Sequence, residues 1–241
     1  MTNRSSRIFQ IALPASFVLA LGAGFATPAA AQNQEMQERV AEIKQAMAQN
    51  KQALAQFTWV EQVTISLKGE QKKQEHFQVR LGPDGKPQKT SLDPPPAEPE
   101  HEGRLKKHIV EKKTEEYKDY ADQIKALIQQ YVPPEKDLIE KARQNGNIMM
   151  GPQAGTAGEY KLVLSNYLKQ GDNMTLVIDR AQKDIVSLSI ATYLNDPSDA
   201  VKVDVQFNRV PGGPNHVSGE TINGVSKQLT IAIQNSNYQH L

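Results

Sequence analysis

The chain has 241 residues, of which 28 are basic, 27 are acidic and none is cysteine. This balance gives no strongly basic face for the phosphates of a nucleic acid, so we expect no nucleic-acid partner. The lack of cysteine excludes disulfides, thiol chemistry and a lipid anchor on an amino-terminal cysteine. A core of apolar side chains must therefore hold the fold together.

The first 31 residues have the pattern of an export signal. Arg4 and Arg7 precede an apolar stretch that ends near Ala26, and small residues follow up to Ala31. We expect cleavage after Ala31 and release into the periplasm. Loss of the two arginines changes the formal net charge of +1 to about −1. Nothing later approaches the ~18 apolar residues that cross a bilayer, so no stable membrane insertion is expected.

The remaining residues, 32–241, are expected to form a single domain, and the protein is expected to be a monomer. An amphipathic helix is predicted from Glu35 to Phe57, because its apolar residues recur every three, four or seven positions. The next segment alternates in the two-residue period of a strand, with Trp59, Val63 and Ile65 on one face. Two further strands, ending near Leu92, complete a meander.

A proline-rich spacer, 93–100, separates this meander from a helical insertion near 104–144. The insertion is predicted to contain one long helix up to Tyr131 and a shorter one, 135–143. Residues 145–158 are rich in glycine and are predicted to be a mobile loop. The last third alternates repeatedly, and Asn223-Gly224 is the strongest hairpin signal in it.

The fold class that follows is α+β. We expect about nine antiparallel strands in a strongly curved sheet, an open and incomplete β-barrel, because most connections are too short for parallel crossovers. The amphipathic helices are expected on its concave side. The space between helices and sheet is either a filled core or a cavity, and the alternation predicts both equally well.

No catalytic signature is present in the sequence. The five histidines lack a metal-ligand spacing, and we expect no metal and no cofactor. Glu61 falls on the same strand face as Trp59 and Val63, where burial would raise its pKa. A wet position at the sheet rim is the more frequent outcome for such a residue. A basic cluster within 104–113 is interleaved with glutamates and is predicted to be a solvated, ion-paired face.

The order of elements resembles that of the periplasmic lipoprotein-carrier (LolA/LolB-like) superfamily. Five segments are also similar to a family of uncharacterised exported bacterial proteins: GPDGKPQK (82–89), EKKTEEYKDY (111–120), QYVPP (130–134), TYLNDPSDAV (192–201) and NSNYQHL (235–241). The resemblance covers nearly all of residues 35–241. It implies an open barrel capped by helices, with an apolar cavity for acyl chains, and it brings no catalytic residue.

The predicted function is therefore non-catalytic binding of an amphiphile, a lipid or an acylated protein, in the cavity between sheet and helices. The expected ligand-binding residues are apolar, and Met149 and Met150 are included because flexible side chains in a glycine-rich loop suit a lid. The full predicted set is Met36, Val40, Ile43, Met47, Trp59, Val63, Met149 and Met150.

Two alternatives remain open from the sequence. The first is an envelope regulatory or assembly module that binds another protein through the proline-rich spacer and the basic helix. The second is a hydrolase that uses carboxylates, which would need a second carboxylate beside Glu61.

Overall fold

The computed structural model describes residue 45 and the ranges 48–94 and 104–241, with the backbone alone described for 104–113 and for Lys136. The predicted export signal, the greater part of the proline-rich spacer and the predicted site residues Met36, Val40, Ile43 and Met47 lie outside these ranges. The side chains of the predicted basic cluster lie outside the description as well.

Within the described ranges, ten antiparallel strands form one open, curved sheet in the order β3-β2-β1-β10-β9-β8-β7-β6-β5-β4. This confirms the predicted α+β class with an open antiparallel sheet. The strands are β1 Phe57–Leu67, β2 Glu70–Leu81, β3 Pro87–Ser91, β4 Ile148–Pro152, β5 Glu159–Ser165, β6 Asn173–Asp179, β7 Asp184–Tyr193, β8 Ala200–Arg209, β9 Asn215–Gly224 and β10 Leu229–His240. β1 thus pairs with β10, which brings the two ends of the described chain together.

The strand that the sequence analysis missed is β4, which replaces part of the predicted loop 145–158. It pairs with β5 from Ile148 opposite Leu164 to Pro152 opposite Tyr160. Three glycines of 145–158 have positive φ, and none lies within the strand: Gly146 precedes it, and Gly155 and Gly158 lie in the connection after it. The prediction of a loop over the whole of 145–158 was therefore wrong. The glycines indicate turns at their own positions, but the residues between those turns form a strand.

One face of the sheet is apolar and buried. Residues that lie directly opposite one another in an antiparallel sheet point to the same face. One such row crosses six neighbouring strands and consists of buried residues only: Ile65, Ile231, Ile222, Val203, Ile190 and Met174. We call this face the inner face, and its continuous burial fixes the register, since a slip by one residue would expose the whole row.

Two helices of the insertion are α2, Arg104–Ile128, and α3, Lys136–Gln144. α2 places Tyr120, Ile124 and Leu127 in the same buried cluster as the inner face, which confirms the predicted amphipathic packing. Tyr120 also donates from its hydroxyl to Asp199, at 2.9 Å. α2 ends at Ile128, three residues before the predicted end at Tyr131.

The predicted Asn223-Gly224 turn is wrong, because both residues still belong to β9 and pair with Thr230 and Leu229. The chain reverses later, over 225–228. Gly224 has a different reason to be glycine: an added Cβ would lie 2.5 Å from a ring carbon of Tyr120. The glycine therefore permits the close approach of α2 to the sheet.

The first helix, α1, is described over 48–54. It ends before Phe57, which belongs to β1 and not to the helix as predicted. Its Leu54 is buried in a second apolar cluster with Trp59, Val79 and Leu81. α1 thus packs on the first strands of the sheet, as its amphipathic pattern predicts. No helix within the described ranges is long and apolar enough to cross a membrane.

Candidate functional site

A patch of polar and aromatic side chains, most of them buried, lies on the inner face, where β1, β9 and β10 meet. It adjoins Val63, which belongs to the large apolar cluster, and it includes Trp59, which belongs to the second cluster. We call it the polar cluster, and it consists of Trp59, Glu61, Lys89, His216, Glu220, Asn235 and Tyr238.

The strand register explains how residues far apart in sequence reach this patch. Glu61 lies opposite Asn235, and two residues earlier on β10, Ile233 lies opposite Glu220. Glu61 and Glu220 are therefore diagonal neighbours across β10. Lys89 reaches the patch from β3, where it lies opposite Val79 of β2.

The strands β9 and β10 part at the polar cluster. Their pairing ends at Gly219 and Gln234, although both strands continue beyond that point. The carbonyl oxygen of Val217 instead accepts hydrogen bonds from side chains of β10, from Asn235 Nδ2 at 2.9 Å and from the Tyr238 hydroxyl at 3.3 Å. Register shifts also occur in β1–β10 and in β8–β9 beside this point. Such irregularities re-aim side chains and are over-represented next to functional sites.

Glu61 forms a buried ion pair with Lys89. The Lys89 ammonium donates to Glu61 Oε1, and only 6% of the Lys89 side chain and 8% of the Glu61 side chain are exposed. The prediction that Glu61 is wet at the rim is therefore wrong. Burial is tolerated because a partner of opposite charge lies two strands away, a contact that alternation along β1 cannot reveal.

Glu220 is the second carboxylate of the polar cluster, and it is 4% exposed. Its Oε1 has no hydrogen-bond partner among the described residues. Burial, and to a lesser degree the charge of Glu61, raise the pKa of Glu220 to about 8 against the opposing effect of the Lys89 charge. Most Glu220 side chains are therefore protonated at pH 7.

Aromatic rings form one wall of the polar cluster. Trp59 stacks on Tyr238, with ring centroids 5.4 Å apart, and the His216 ring lies 3.9 Å from the Tyr238 ring. Trp59 Nε1, His216 Nδ1 and Asn235 Oδ1 are buried without a hydrogen-bond partner in the described part of the chain. Burial lowers the pKa of His216, which favours its neutral form, and raises the pKa of Tyr238.

Glu220 should make stability depend on pH. Its pKa is raised in the folded state, so the folded protein holds a proton that the unfolded chain releases above its ordinary value of 4.5. The contribution of Glu220 to stability should therefore be greatest below about pH 5, fall by a few kcal/mol as pH rises to about 8, and then level off, since one pKa unit corresponds to about 1.4 kcal/mol. Urea unfolding of Glu220→Gln should show a flatter profile and a clear gain in stability at pH 8.5. Equal slopes for both proteins would contradict the assignment.

The structure brings together two of the predicted site residues and separates two others. Trp59 belongs to the polar cluster, and Val63 lies beside it, opposite Ile233. Met149 and Met150 are 70% and 42% exposed on the edge strand β4, seven strands from β1 in the sheet. They lie on a strand rather than on the lid-like loop for which they were chosen.

Sequence reasoning missed most of the polar cluster. Glu220 had a usable signal, since it falls in the alternation of β9 in phase with the buried Ile222. No signal in the sequence pointed to Lys89 or Asn235, because their burial depends on which other strands lie beside their own. No group of three or more histidine, aspartate or glutamate side chains in the described ranges could hold a metal ion. The side chains of the polar cluster can form hydrogen bonds, pair with charges and transfer protons.

Comparisons with known proteins find similarity among solved structures. No protein-family model matches the chain, and no curated protein matches it. Among solved structures, the chain is similar to a DUF1329 family protein from Desulfovibrio piger ATCC 29098, with 12% sequence identity and a TM-score of 0.41. The match covers 83% of this chain and 92% of that chain. The chemistry of the polar cluster therefore rests on the residues of this chain alone.

Proposed function

We propose that this protein is an exported, periplasmic, non-catalytic binder of an amphiphile, either a lipid or an acylated protein. The apolar part of the ligand contacts the inner face beside the second apolar cluster, and its polar end enters the polar cluster. The sequence pattern of an export signal and the resemblance to lipoprotein carriers support this class of function.

The observation that carries the proposal is the set of unsatisfied polar atoms in the polar cluster. Trp59, His216 and Glu220 are each more than nine-tenths buried, and each has a polar atom without a partner among the described residues. Such an atom costs about 1–3 kcal/mol in a folded protein. A ligand that supplies the missing partners recovers this free energy, and the adjacent apolar cluster accommodates its hydrocarbon part.

The packing of α2 determines which part of the inner face is available to the proposed ligand. Opposite α2 the interior is filled, and Ile124, Met174 and Ile222 have no exposed surface. The polar cluster lies instead toward the strands on which α1 packs, with Leu54 against Trp59 and Val79. The proposed ligand therefore binds on the β1–β2–β10 side of the sheet.

Trp59 offers a direct test, because it is the only tryptophan of the chain. A long-chain amphiphile with an anthroyloxy fluorophore should quench Trp59 emission in a saturable manner, and the unlabelled amphiphile should reverse the quenching. The variant Trp59→Phe should lose the signal, whereas Met149→Gln, on the distant edge strand, should bind as the unmodified protein does. A failure of all long-chain amphiphiles to bind saturably would overturn the proposal.

A second candidate, a hydrolase that uses carboxylates, is favoured by the convergence of Glu61 and Glu220. Neighbouring carboxyl groups whose pKa values are driven apart are a common arrangement for acid and base roles. Burial and the charge of Glu61 raise the pKa of Glu220 to about 8, which suits a general acid. Turnover of chromogenic esters or glycosides that both Glu61→Gln and Glu220→Gln abolish would favour this function over simple binding.

A further inference from the structure

We propose that the polar cluster receives a primary ammonium group, so that the ligand is an amphiphile with an amine in its polar head. This inference rests on the proposed function and names the chemical class of the ligand. It follows from the charges, the hydrogen-bonding atoms and the aromatic rings that meet between β1, β9 and β10.

The polar cluster holds more carboxyl groups than cations. Two carboxyl groups, those of Glu61 and Glu220, lie in the interior beside one ammonium, that of Lys89, which donates to Glu61. The only other basic side chain in the cluster is that of His216, and burial favours its neutral form. The charged form of Glu220 therefore lacks a counter-ion among the described residues. A cationic group from a ligand would give the buried carboxylates one cation each.

The unpaired polar atoms fit the same group. Glu220 Oε1 and Asn235 Oδ1 are acceptors, and both are without partners in the described part of the chain. A primary ammonium has three N–H donors and can serve both. Trp59 Nε1 is a donor only, and it suits an oxygen near the amine, such as that of an ester or a phosphate. A head with an ammonium and a nearby acceptor oxygen satisfies these atoms together.

Aromatic rings beside the carboxyl groups also favour an ammonium group in the ligand. Trp59 and Tyr238 stack next to Glu61, whose charge contributes to the raised pKa of Tyr238. The faces of such rings attract cations, and the attraction is strongest where water is excluded. An anionic head would instead meet the charge of Glu61 and would offer no donor to Glu220 Oε1. A hydroxyl head could form hydrogen bonds but would not compensate the charged form of Glu220.

Binding should be coupled to a proton. The titratable and charged groups that face Glu220 are Glu61 on β1, Lys89 on β3, His216 on β9 and Tyr238 on β10. Because burial raises the pKa of Glu220 to about 8, an amine that binds at pH 7 must displace a proton from this carboxyl. Affinity for the amine should therefore rise up to tenfold per pH unit toward pH 8 and level off above it.

The test compares three probes of equal chain length below their micelle concentrations: dodecylamine, dodecanol and dodecanoate. Binding to the full exported chain is followed by Trp59 fluorescence at pH 8. We expect dodecylamine to bind at least about tenfold more tightly than dodecanol, in line with the strength of hydrogen bonds to charged groups. Glu220→Gln should remove this difference by weakening the amine alone. Asp204→Asn, which removes an exposed carboxylate of β8, should retain it.

A measurement without any variant guards against misfolding of Glu220→Gln. Calorimetric titration of the unmodified protein with dodecylamine at pH 7, in two buffers of different ionisation enthalpy, should show release of close to one proton. Equal binding of all three probes, or no proton release, would overturn the ammonium assignment and leave amphiphile binding standing. Saturable binding of none of the probes would overturn the proposed function itself.

Discussion

Replacement of Asp172 by alanine is expected to destabilise the protein by about 4 kcal/mol or more. Asp172 has no exposed surface, and its carboxylate accepts four hydrogen bonds. The donors are the Tyr131 hydroxyl at 2.5 Å and the backbone N–H groups of Tyr167, Leu168 and Lys169 at 2.6, 2.9 and 2.7 Å. A donor left buried and unpaired costs about 1–3 kcal/mol. The Leu168 and Lys169 donors are only partly buried and the Tyr131 hydroxyl keeps Thr192 as a partner, yet the loss of all four hydrogen bonds exceeds the effect of an ordinary substitution.

The position of Asp172 explains why the loss should affect the whole fold. Its carboxylate holds the turn between β5 and β6 and also fixes Tyr131, which follows α2. Tyr131 has no exposed surface, and burial raises its pKa, so the hydroxyl remains a donor over the whole useful pH range. One carboxylate thus connects the helical insertion to the sheet.

Urea and thermal unfolding, followed by circular dichroism, would measure this effect. A loss of 4 kcal/mol corresponds to a fall in Tm of roughly 8 °C or more for a chain of this size. Asp196→Ala is the matched control, because Asp196 also accepts hydrogen bonds within a turn but is exposed to solvent. Equal losses for Asp172→Ala and Asp196→Ala would show that the buried network does not have the assigned role.

The fold could be predicted from the sequence because nearly every strand has one buried face. Alternation in β7 and β8, for example, places Leu188, Ile190, Val203 and Val205 on the inner face. β4 was missed because Gly151 and Pro152 lie within it, and these residue types are uncommon in strands. Gly224 was wrongly assigned to a turn. It lies in a strand, where the lack of a side chain accommodates Tyr120.

The candidate site was harder to predict from the sequence. Alternation along one strand shows on which face a residue lies, but not which residues of other strands lie beside it. Glu61 was correctly placed on the face of Trp59, and yet its burial depends on Lys89, two strands away. Glu220 joins them only because β10 lies between β1 and β9. Met149 and Met150 were chosen for their flexibility, a property that does not depend on where the fold places them.

Replacement of Lys89 by methionine should show whether the charges of the polar cluster depend on one another. The substitution keeps much of the apolar stem of the side chain but leaves Glu61 buried without its cation. Removal of one partner of a buried ion pair costs about 3–5 kcal/mol at neutral pH, since the remaining charge is uncompensated. Unfolding in urea at pH 7 should show a loss of this size.

The double variant Glu61→Gln with Lys89→Met separates the charge effect from simple packing. It removes both charges, so it should recover most of the stability that Lys89→Met loses. Lys72→Met is the matched control, because Lys72 pairs with Glu70 on the exposed part of β2 and should change stability little. If the double variant were as unstable as Lys89→Met, the loss would come from packing around the lysine stem.

The same variants also test whether the ammonium group of the ligand binds beside Glu61 and Lys89. Without Lys89, an ammonium group from the ligand has two buried carboxylates to compensate rather than one, so dodecylamine should stabilise Lys89→Met more than it stabilises the unmodified protein. The double variant should lose this additional stabilisation, because only Glu220 remains to be paired. A shift in Tm with dodecylamine that is the same for all three proteins would mean that the amine binds away from Glu61 and Lys89.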